Sequence, residues 1–444
     1  MFRRFQKKIT FETLSANFFF HPAFMGALVM LHDMDREEQR EYQYYRLECL
    51  LRQAYRAVPY WRKVVGSNLS VGASFDVKQF EGLPILTRDI LRVRHREFFI
   101  NGWQQHKYRT FITSGSTGTP KKFIADKVFC QKIMAAEEFY INLFGVKNYR
   151  EYGYLLYKPH LKDLTSQIGN GQTSAEEVGA FFIKNNIRAA GGSLFRLLGL
   201  AEMVEAGELR VNLKFLVCGS QVLTEDTKRY LESVFHCPVY NKYVCAETGM
   251  MGIECADRGG FHIDPANFYL EIVDDKGAPV AVGKSGRILI TIFNNRLMPL
   301  IRYELGDTGR WETGRGECRC GLQTPRLSFD GRILDYLEFA GGKKLSALAL
   351  VQAVDRKFTN IMMKRMVIQE SKSKILFQYV PGGISQPQHK PQHKSDIHNL
   401  ITRYLQLRGF NNINVEVEAV PLLDNVRNEK QIYFQSQIAS QTTS

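Results

Sequence analysis

The sequence predicts an α/β protein in which a large N-terminal domain of packed sheets and helices is followed by a small α+β domain. Its 444 residues are enough for two or three folding units. Short buried-strand patterns alternate with helical patterns from about residue 110 to 300, and a different mixture follows from about residue 330. A composition with 44% hydrophobic and 23% charged residues excludes a disordered chain, a collagen and a coiled-coil rod.

The first predicted element is a basic and apolar segment at residues 1–35. Its apolar stretch, 18–31, is interrupted by His21 and Pro22, and no small-residue cleavage site follows, so a signal peptide is not favoured. The stretch is also shorter than the about 20 apolar residues that cross a bilayer. Two interpretations stay open: a docking segment that packs on the domain, or a basic-aromatic anchor that lies peripherally on an acidic membrane surface.

Helical and strand patterns then continue along the chain. Apolar residues at helical spacing predict an amphipathic helix over residues 37–57, which ends before Pro59. The further predicted elements are strands at 215–218 and 287–292, a helix over 224–235 with Thr224 as its N-cap, a glycine-bearing turn at 329–332, a helix over 345–358, strands at 366–369 and 374–379, a helix over 397–408 and a strand at 413–420.

The charge and the cysteine content narrow the class of protein. The 59 basic and 45 acidic residues give a net charge of +14, which favours anionic partners such as nucleotides, coenzymes, nucleic acid or an acidic membrane. A nucleic-acid partner is not expected, because the sequence has neither interleaved basic-aromatic RNA motifs nor a recognisable DNA-binding helix pair. Eight cysteines are too few for a disulfide scaffold, so a reduced, cytoplasmic location is expected.

The most informative segment is a loop of small hydroxyl residues and glycines that ends in lysine. Glycine lets the backbone approach a polyanion, and hydroxyl and amide groups can donate to phosphate oxygens. The spacing differs from the P-loop of nucleoside triphosphatases, which has four residues between its first glycine and Gly-Lys. The candidate phosphate-binding residues are Thr113, Ser114, Gly115, Ser116, Thr117, Gly118 and Lys121.

This loop resembles the phosphate-binding signature of the adenylate-forming enzymes, the superfamily of acyl-CoA synthetases and adenylation domains. Later motifs follow in the family's order, over most of the chain. The resemblance implies that Tyr243 stacks on adenine, that Glu247 holds Mg²⁺ and that Asp307 binds the ribose hydroxyls. It places Arg332 near the ribose and phosphates and makes Lys430 the late catalytic lysine. The nucleotide-binding residues implied in addition are Gly219, Ser220 and Gln221.

Shorter phrases at 58–62, 83–87 and 298–303 are similar to the phenylacetate–coenzyme A ligase family. Within that family the sequence resembles most the CapK-like branch, which is linked to capsular polysaccharide biosynthesis. The resemblance therefore implies a role in cell-surface polysaccharide or secondary-metabolite biosynthesis.

The same resemblance implies how the domains are divided. The expected boundaries are an AMP-binding domain over 1–330, a hinge at 331–335 and a small mobile C-terminal domain over 336–444. Asp335 is the expected hinge residue. In the family the small domain rotates about this hinge between the two half-reactions.

The implied activity is the ATP-dependent conversion of a carboxylic acid to an acyl adenylate with release of pyrophosphate. The acyl group then passes to a thiol, of coenzyme A or a carrier protein, or to another acceptor. Carboxylate and ATP are both negative, so the site must neutralise charge and align them. The implied catalytic residues are Lys430, Glu247, Lys121 and Arg332.

Three positions depart from the family pattern and keep an alternative open. Val244 replaces a glycine, Ala246 replaces a threonine, and Glu429 stands where a glycine commonly precedes the lysine. The alternative is a catalytically reduced partner protein of the same fold in an envelope-polymer pathway.

Four further residues form a candidate zinc site. Cys255, His262, Cys318 and Cys320 offer the three thiolates and one imidazole that suit tetrahedral Zn²⁺. From spacing alone, reduced buried cysteines are the favoured interpretation, because Cys-x-Cys is tighter than a usual zinc knuckle and the two halves of the site are far apart in sequence. The similarity of some phenylacetate-ligase relatives at these positions favours a structural zinc ion.

Overall fold

The fold is described from a computed structural model of the 444-residue chain. The residues that it describes are 20–68, 75–112, 122–155, 166–168, 175–219, 223–313, 318–332, 335–355, 357–358, 362–381, 392–421, 423, 426–427, 430–431 and 433–438.

The helices are α1 Phe20–Asp33, α2 Arg36–Ala57, α3 Pro59–Asn68, α4 Val77–Glu81, α5 Arg88–Val93, α6 Lys127–Leu143, α7 Ala175–Lys184, α8 Leu194–Glu205, α9 Glu225–Phe235, α10 Ala347–Asp355 and α11 Gln392–Gln406. Short 3₁₀ turns lie at His95–Phe98, Trp103–Gln105, Tyr149–Glu151 and Ala340–Gly342.

The strands are β1 Tyr108–Ile112, β2 Lys122–Asp126, β3 Tyr152–Leu155, β4 Ser166–Ile168, β5 Ala189–Ser193, β6 Phe215–Gly219, β7 Val239–Cys245, β8 Gly249–Glu254, β9 Phe261–Ile263, β10 Phe268–Val273, β11 Gly286–Ile292, β12 Tyr303–Trp311, β13 Arg326–Arg332, β14 Tyr336–Glu338, β15 Lys344–Ser346, β16 Met362–Ser371, β17 Lys374–Pro381, β18 Asn414–Ala419, β19 Val426–Arg427, β20 Lys430–Gln431 and β21 Phe434–Ser436.

One compact unit is formed by residues 1–152 and 240–329. Its main sheet has the strand order β10-β11-β12-β13-β9-β8-β7, and β1 and β2 form a separate antiparallel pair. The pairs β10/β11, β11/β12, β13/β9, β9/β8 and β8/β7 are antiparallel. Helices α2 and α3 supply buried side chains to its core, where the indole of Trp61 donates a hydrogen bond to the Pro299 carbonyl at 2.9 Å.

The other compact unit is formed by residues 153–239 and 330–444. Strands β6, β5, β3 and β4 lie in that order, and the β5/β6 and β3/β4 pairs are parallel. A second sheet has the order β18-β17-β16-β21, in which the central pair is antiparallel and both outer strands pair in parallel. Helices α10 and α11 bury apolar side chains with this sheet, so the C-terminal part has a core of its own.

The N-terminal helix α1 packs against α6. Phe24, Leu28 and Leu31 are buried, whereas Val29 and Met30 are 47% and 39% exposed. This packing is what the docking interpretation expects, and a peripheral membrane contact remains a prediction. Within the described residues, none of the helices combines the length and the apolar character needed to cross a bilayer.

Local sequence signals account for most of the predicted elements. The helix predicted over 37–57 is α2, and its start is fixed by a capping box in which the Asp35 carboxylate accepts from the Glu38 amide at 2.9 Å. The predicted N-cap at Thr224 is confirmed, since its hydroxyl accepts from the Thr227 amide at the start of α9.

Two predictions in the C-terminal region are wrong in their details. The expected turn at 329–332 is the end of β13, and the Asp335 amide donates to the Arg332 carbonyl at 3.0 Å. The helix predicted over 345–358 is shorter at both ends, because Leu345 and Ser346 belong to β15 and the helix ends at Asp355.

Candidate active site

Two of the predicted nucleotide-binding residues are joined directly in the structure. Tyr243 lies in β7 and Asp307 in β12, and the tyrosine hydroxyl donates to a carboxylate oxygen of Asp307 at 2.7 Å. Both side chains are buried. Three strands lie between β7 and β12, so a flat sheet would hold them about 19 Å apart. The Tyr243–Asp307 hydrogen bond therefore requires the sheet to curl, and this curl brings the two side chains together.

The ring of Tyr243 lies in an aromatic setting. The rings of Phe261 and Phe329 lie 5.7 and 6.0 Å from it, measured between centroids. Such ring pairs stabilise the folded state by more than their buried area alone provides, and they fix the orientation of the tyrosine ring. The arrangement presents an oriented aromatic side chain beside the Asp307 carboxylate, which is the combination that a nucleoside needs.

Glu247, the candidate Mg²⁺ ligand, lies in the turn between β7 and β8 and is partly exposed. The hydroxyl of Tyr303, the first residue of β12, donates to one of its carboxylate oxygens at 3.4 Å. Burial and the negative charge of Glu247 raise the pKa of Tyr303, so this hydroxyl stays a donor at neutral pH. A carboxylate that is held by neighbouring donors and open to solvent can serve as a hard oxygen ligand.

Cys245, which lies between Tyr243 and Glu247 in the sequence, packs against the hydrophobic core. Burial raises the pKa of its thiol well above the usual value, and the nearby Glu247 charge acts in the same direction. A thiol that remains protonated is a poor nucleophile.

The backbone just before Asp307 is fixed by a glycine with positive φ and by a contact with an arginine. Gly306 has a φ of +79°, and a Cβ there would lie 2.9 Å from the Arg88 guanidinium. The Arg88 guanidinium donates to the Leu305 carbonyl, so the chain is fixed immediately before Asp307. Arg302, at φ +48°, is buried and pairs with Glu271 at 3.0 Å.

The predicted hinge lies where β13 ends. Gly331 has a φ of +137°, and a Cβ there would lie 3.0 Å from the Ser346 hydroxyl, so only glycine fits without displacement. The carbonyl of Asp335 accepts from the Ala347 amide at 2.9 Å, which joins the hinge to the start of α10. Arg332 is partly buried at the end of β13.

Several predicted site residues cannot be placed in this geometry. The phosphate-loop residues Thr113–Gly118 and Lys121, together with Ser220 and Gln221, lie outside the described residues. Gly219 is the buried last residue of β6. The backbone of Lys430 pairs with Arg427 in a short antiparallel ladder, while Glu429 lies outside the described residues.

The four candidate zinc ligands form a single cluster. The ligand atoms of Cys255, His262, Cys318 and Cys320 all lie within 4.8 Å of one another. The sulfurs of Cys255 and Cys318 are 3.4 Å apart, and the sulfur of Cys320 is 3.4 Å from His262 Nε2. Antiparallel pairing of β9 with β13 carries His262 towards the cysteine pair that precedes β13, although 55 residues separate His262 from Cys318.

Two outer residues orient this cluster. His262 Nδ1 lies 3.0 Å from the Thr324 hydroxyl, which leaves Nε2 facing the sulfurs. The Asp257 carboxylate accepts from the Arg319 amide at 2.9 Å and from the Cys318 thiol at 3.1 Å. Hydrogen bonds from Cys320 and then His262 hold the pKa of the Cys255 thiol well below its usual value. Sequence reasoning missed Asp257, Thr324 and Tyr303, because no local pattern marks a residue that supports a partner about 60 positions away.

Comparisons with known proteins agree with the fold prediction. No protein-family model matches the chain. The chain is 25% identical over 339 residues to phenylacetate–coenzyme A ligase from Thermus thermophilus, which covers 70% of this chain and 74% of that protein.

Solved structures show the same architecture. The structure is similar to 2-hydroxyisobutyryl-CoA ligase in its postadenylation state, with a TM-score of 0.75 and 16% identity over 92% of this chain and 91% of that one. It is also similar to o-succinylbenzoate-CoA synthetase from Bacillus subtilis, with a TM-score of 0.53 and 14% identity over 73% and 67% of the two chains. The chain therefore has the α/β fold of the adenylate-forming CoA ligases, as the sequence predicts.

Proposed function

We propose that this chain is an ATP-dependent, AMP-forming carboxylate ligase. It converts a small carboxylic acid to an acyl adenylate with release of pyrophosphate and then passes the acyl group to a thiol. The observation that carries this proposal is the Tyr243–Asp307 hydrogen bond of 2.7 Å, because it places the expected adenine and ribose residues side by side. Coenzyme A is the first candidate acceptor, as the similarity to several CoA ligases supports it. A carrier-protein thiol or another acceptor is the second.

Charge neutralisation is the main task of such a site. Attack of a carboxylate on the α-phosphorus of ATP brings two anions together, so cationic and donor groups must surround the phosphates. Glu247 would hold Mg²⁺, which suits a partly exposed carboxylate that the Tyr303 hydroxyl fixes from one side. Lys121, Arg332 and Lys430 would supply the positive charge, and residues 113–118 with Gly219, Ser220 and Gln221 would line the nucleotide.

Two half-reactions at one site require the site to change. The proposed domains are 1–330 and 336–444, joined by a hinge at 331–335 in which Asp335 changes conformation. Rotation of the small domain would withdraw Lys430 after adenylate formation and admit the thiol. Gly331, the first residue of this segment, has a positive φ, which supports the assignment of the hinge.

The proposal includes a structural zinc ion at Cys255, His262, Cys318 and Cys320. Zn–S bonds of about 2.3 Å at the tetrahedral angle separate two sulfurs by about 3.8 Å, close to the 3.4 Å between the sulfurs of Cys255 and Cys318. Three thiols and an imidazole are the donors that zinc prefers. The ion would tie the loop after β8 to the segment before β13 and would take no part in the chemistry.

The biological setting is proposed from the sequence. The family resemblance supports a CapK-like position in cell-surface polysaccharide or secondary-metabolite biosynthesis, the low cysteine content supports a cytoplasmic location, and the basic and apolar segment 1–35 supports peripheral contact with the inner face of a membrane. Phenylacetate is a first candidate substrate, because the chain is similar to a ligase for that acid. A catalytically reduced partner protein is the second candidate function, favoured by Val244, Ala246 and Glu429.

The deciding experiment is ATP–pyrophosphate exchange over a panel of aromatic, aliphatic and amino acids. We expect exchange that depends on one class of acid and on Mg²⁺, and an acyl thioester detected by mass spectrometry when coenzyme A is added. Asp307→Asn should reduce exchange at low ATP, whereas Glu416→Gln, at an exposed pair with Lys374, should not. ATP binding without exchange for any acid would favour the partner-protein function instead.

A further inference from the structure

The first motif of the candidate site, residues 243–247, and the second motif, residues 302–307, are linked by a pair of crossed hydrogen bonds. Tyr243 of the first motif donates to Asp307 of the second at 2.7 Å. Tyr303 of the second motif donates to Glu247 of the first at 3.4 Å. Each motif therefore contributes one phenol and one carboxylate, and each carboxylate is held by the phenol of the other motif.

We infer that Tyr303 is the positioning residue for the metal-binding carboxylate of Glu247, and that the Tyr243 hydroxyl separately positions the ribose-binding carboxylate of Asp307. The inference rests on the proposed function, because it assigns Glu247 to the metal and Asp307 to the ribose. It goes further by giving the two phenol hydroxyls separate tasks, one for the metal and one for the sugar.

Tyr303 is held firmly enough to position a neighbour. Its side chain is fully buried and lies edge-on to the ring of Phe123, with centroids 6.4 Å apart. The backbone on both sides is clamped to Leu86, whose amide donates to the Arg302 carbonyl and whose carbonyl accepts from the Glu304 amide, each at 3.0 Å. A hydroxyl on such a fixed ring restricts the rotamers of the flexible Glu247 side chain.

Glu247 has need of such a partner. It lies in a turn, is partly exposed and accepts a weak hydrogen bond from the Cys245 thiol. Without the Tyr303 hydroxyl its side chain would sample more rotamers, of which few direct an oxygen at the metal. A donor on one oxygen leaves the other lone pairs for a cation, as hydrogen-bonded outer partners do for other metal ligands. Asp307 differs, since it is buried and its backbone is already fixed by Gly306. The Tyr243 hydroxyl therefore has a different task, because its hydrogen bond to one carboxylate oxygen of Asp307 leaves the other oxygen for the sugar.

The test uses two phenylalanine substitutions that keep the rings and remove one hydroxyl each. Binding of Mn²⁺, a spectroscopic substitute for Mg²⁺, is measured by electron paramagnetic resonance in the presence of α,β-methylene-ATP, so that no turnover is needed. Sugar recognition is measured as the ratio of affinities for α,β-methylene-ATP and its 2′-deoxy form. Tyr230→Phe is the matched control, because it removes a tyrosine–carboxylate bond of 2.8 Å to Glu205 outside the site.

We expect Tyr303→Phe to weaken Mn²⁺ binding about tenfold and to leave the sugar ratio unchanged, because a hydrogen bond to a charged group is lost only at the metal carboxylate. Tyr243→Phe should reduce the sugar ratio by about tenfold and leave Mn²⁺ binding unchanged. The control should alter neither quantity, and thermal unfolding should show all three variants folded.

Mn²⁺ binding by Tyr303→Phe that stays within twofold of the wild-type value overturns the inference. An equal loss of Mn²⁺ binding and of the sugar ratio in both phenylalanine variants also overturns it, because such a loss would indicate a merely structural role. The failure of the proposed function is recognised separately. If the two variants show the expected separation of effects but the wild-type protein exchanges pyrophosphate with no acid, the proposed function is overturned and the inference is supported.

Discussion

A buried ion pair in the unit formed by residues 153–239 and 330–444 allows a quantitative prediction of stability. Arg365 of β16 is paired with Asp355 at the end of α10, and both side chains are about 5% exposed. The same guanidinium nitrogen donates at 3.2 Å to the hydroxyl of Thr224, the N-cap of α9. One arginine thus joins two helices and a strand that come from distant parts of the sequence.

We expect Asp355→Asn to destabilise this unit by about 3–5 kcal/mol, because it leaves a buried guanidinium without its counter-charge. The unit has about 200 residues, for which 1 kcal/mol lowers the melting temperature by about 2–4 °C. The transition should therefore move down by about 10 °C in differential scanning calorimetry. The double variant Asp355→Leu/Arg365→Met should recover most of this loss, since no buried charge remains.

The control is an exposed ion pair of the same unit, Lys374 with Glu416 at 2.8 Å, in which the side chains are 34% and 44% exposed. Glu416→Gln should cost less than about 1 kcal/mol, because water screens the pair. A melting temperature of Asp355→Asn within 2 °C of the wild type would refute the reasoning. So would a double variant that is less stable than the single one, because burial of charge would then not be the cause.

Three further outcomes are expected. Lys430→Ala should abolish adenylate formation in the pyrophosphate-exchange assay while ATP binding stays largely intact, and unchanged exchange would contradict its role. Cys318→Ser/Cys320→Ser should lose stoichiometric zinc by metal analysis, and chelation of the wild type should cost about 3 kcal/mol relative to zinc at 100 times its Kd; zinc retained by the variant would count against the site. Burial, with a contribution from Glu232, raises the pKa of Cys237 to about 12, so iodoacetamide at pH 8 should label it at least about 100-fold more slowly than the exposed Cys49, as measured by peptide mass spectrometry.

The sequence predicts the elements best where the signal is local. The capping box at Asp35 and Glu38 lies within four residues, and the start of α2 follows from it directly. The turn expected around Gly331 is wrong because the reason for that glycine is not local. Its backbone passes Ser346, fifteen positions later, and continues as a strand. A glycine required for close approach looks the same in sequence as a glycine required for a turn.

The same distinction applies to the candidate site. The four candidate zinc ligands and the order of the candidate nucleotide motifs can be recognised in the sequence through the family resemblance. The contact of Tyr303 with Glu247 cannot, because it depends on the curl of a sheet in which three strands separate β7 from β12. Such contacts follow from tertiary geometry, and a single sequence carries no signal for them.

Val244 and Ala246, which differ from the family pattern, do not favour the partner-protein function equally. Val244 is not among the residues with positive φ, so its backbone lies in a region open to any L-amino acid, and the ladder between β7 and β8 accommodates it with a shift of register beside Tyr243. Replacement of a family glycine at this position therefore costs no backbone strain, and the Tyr243–Asp307 bond is made in its presence. Ala246 is exposed in the turn beside Glu247, where a threonine would add a hydroxyl donor. The missing hydroxyl at 246 therefore favours reduced catalysis more than the valine at 244 does.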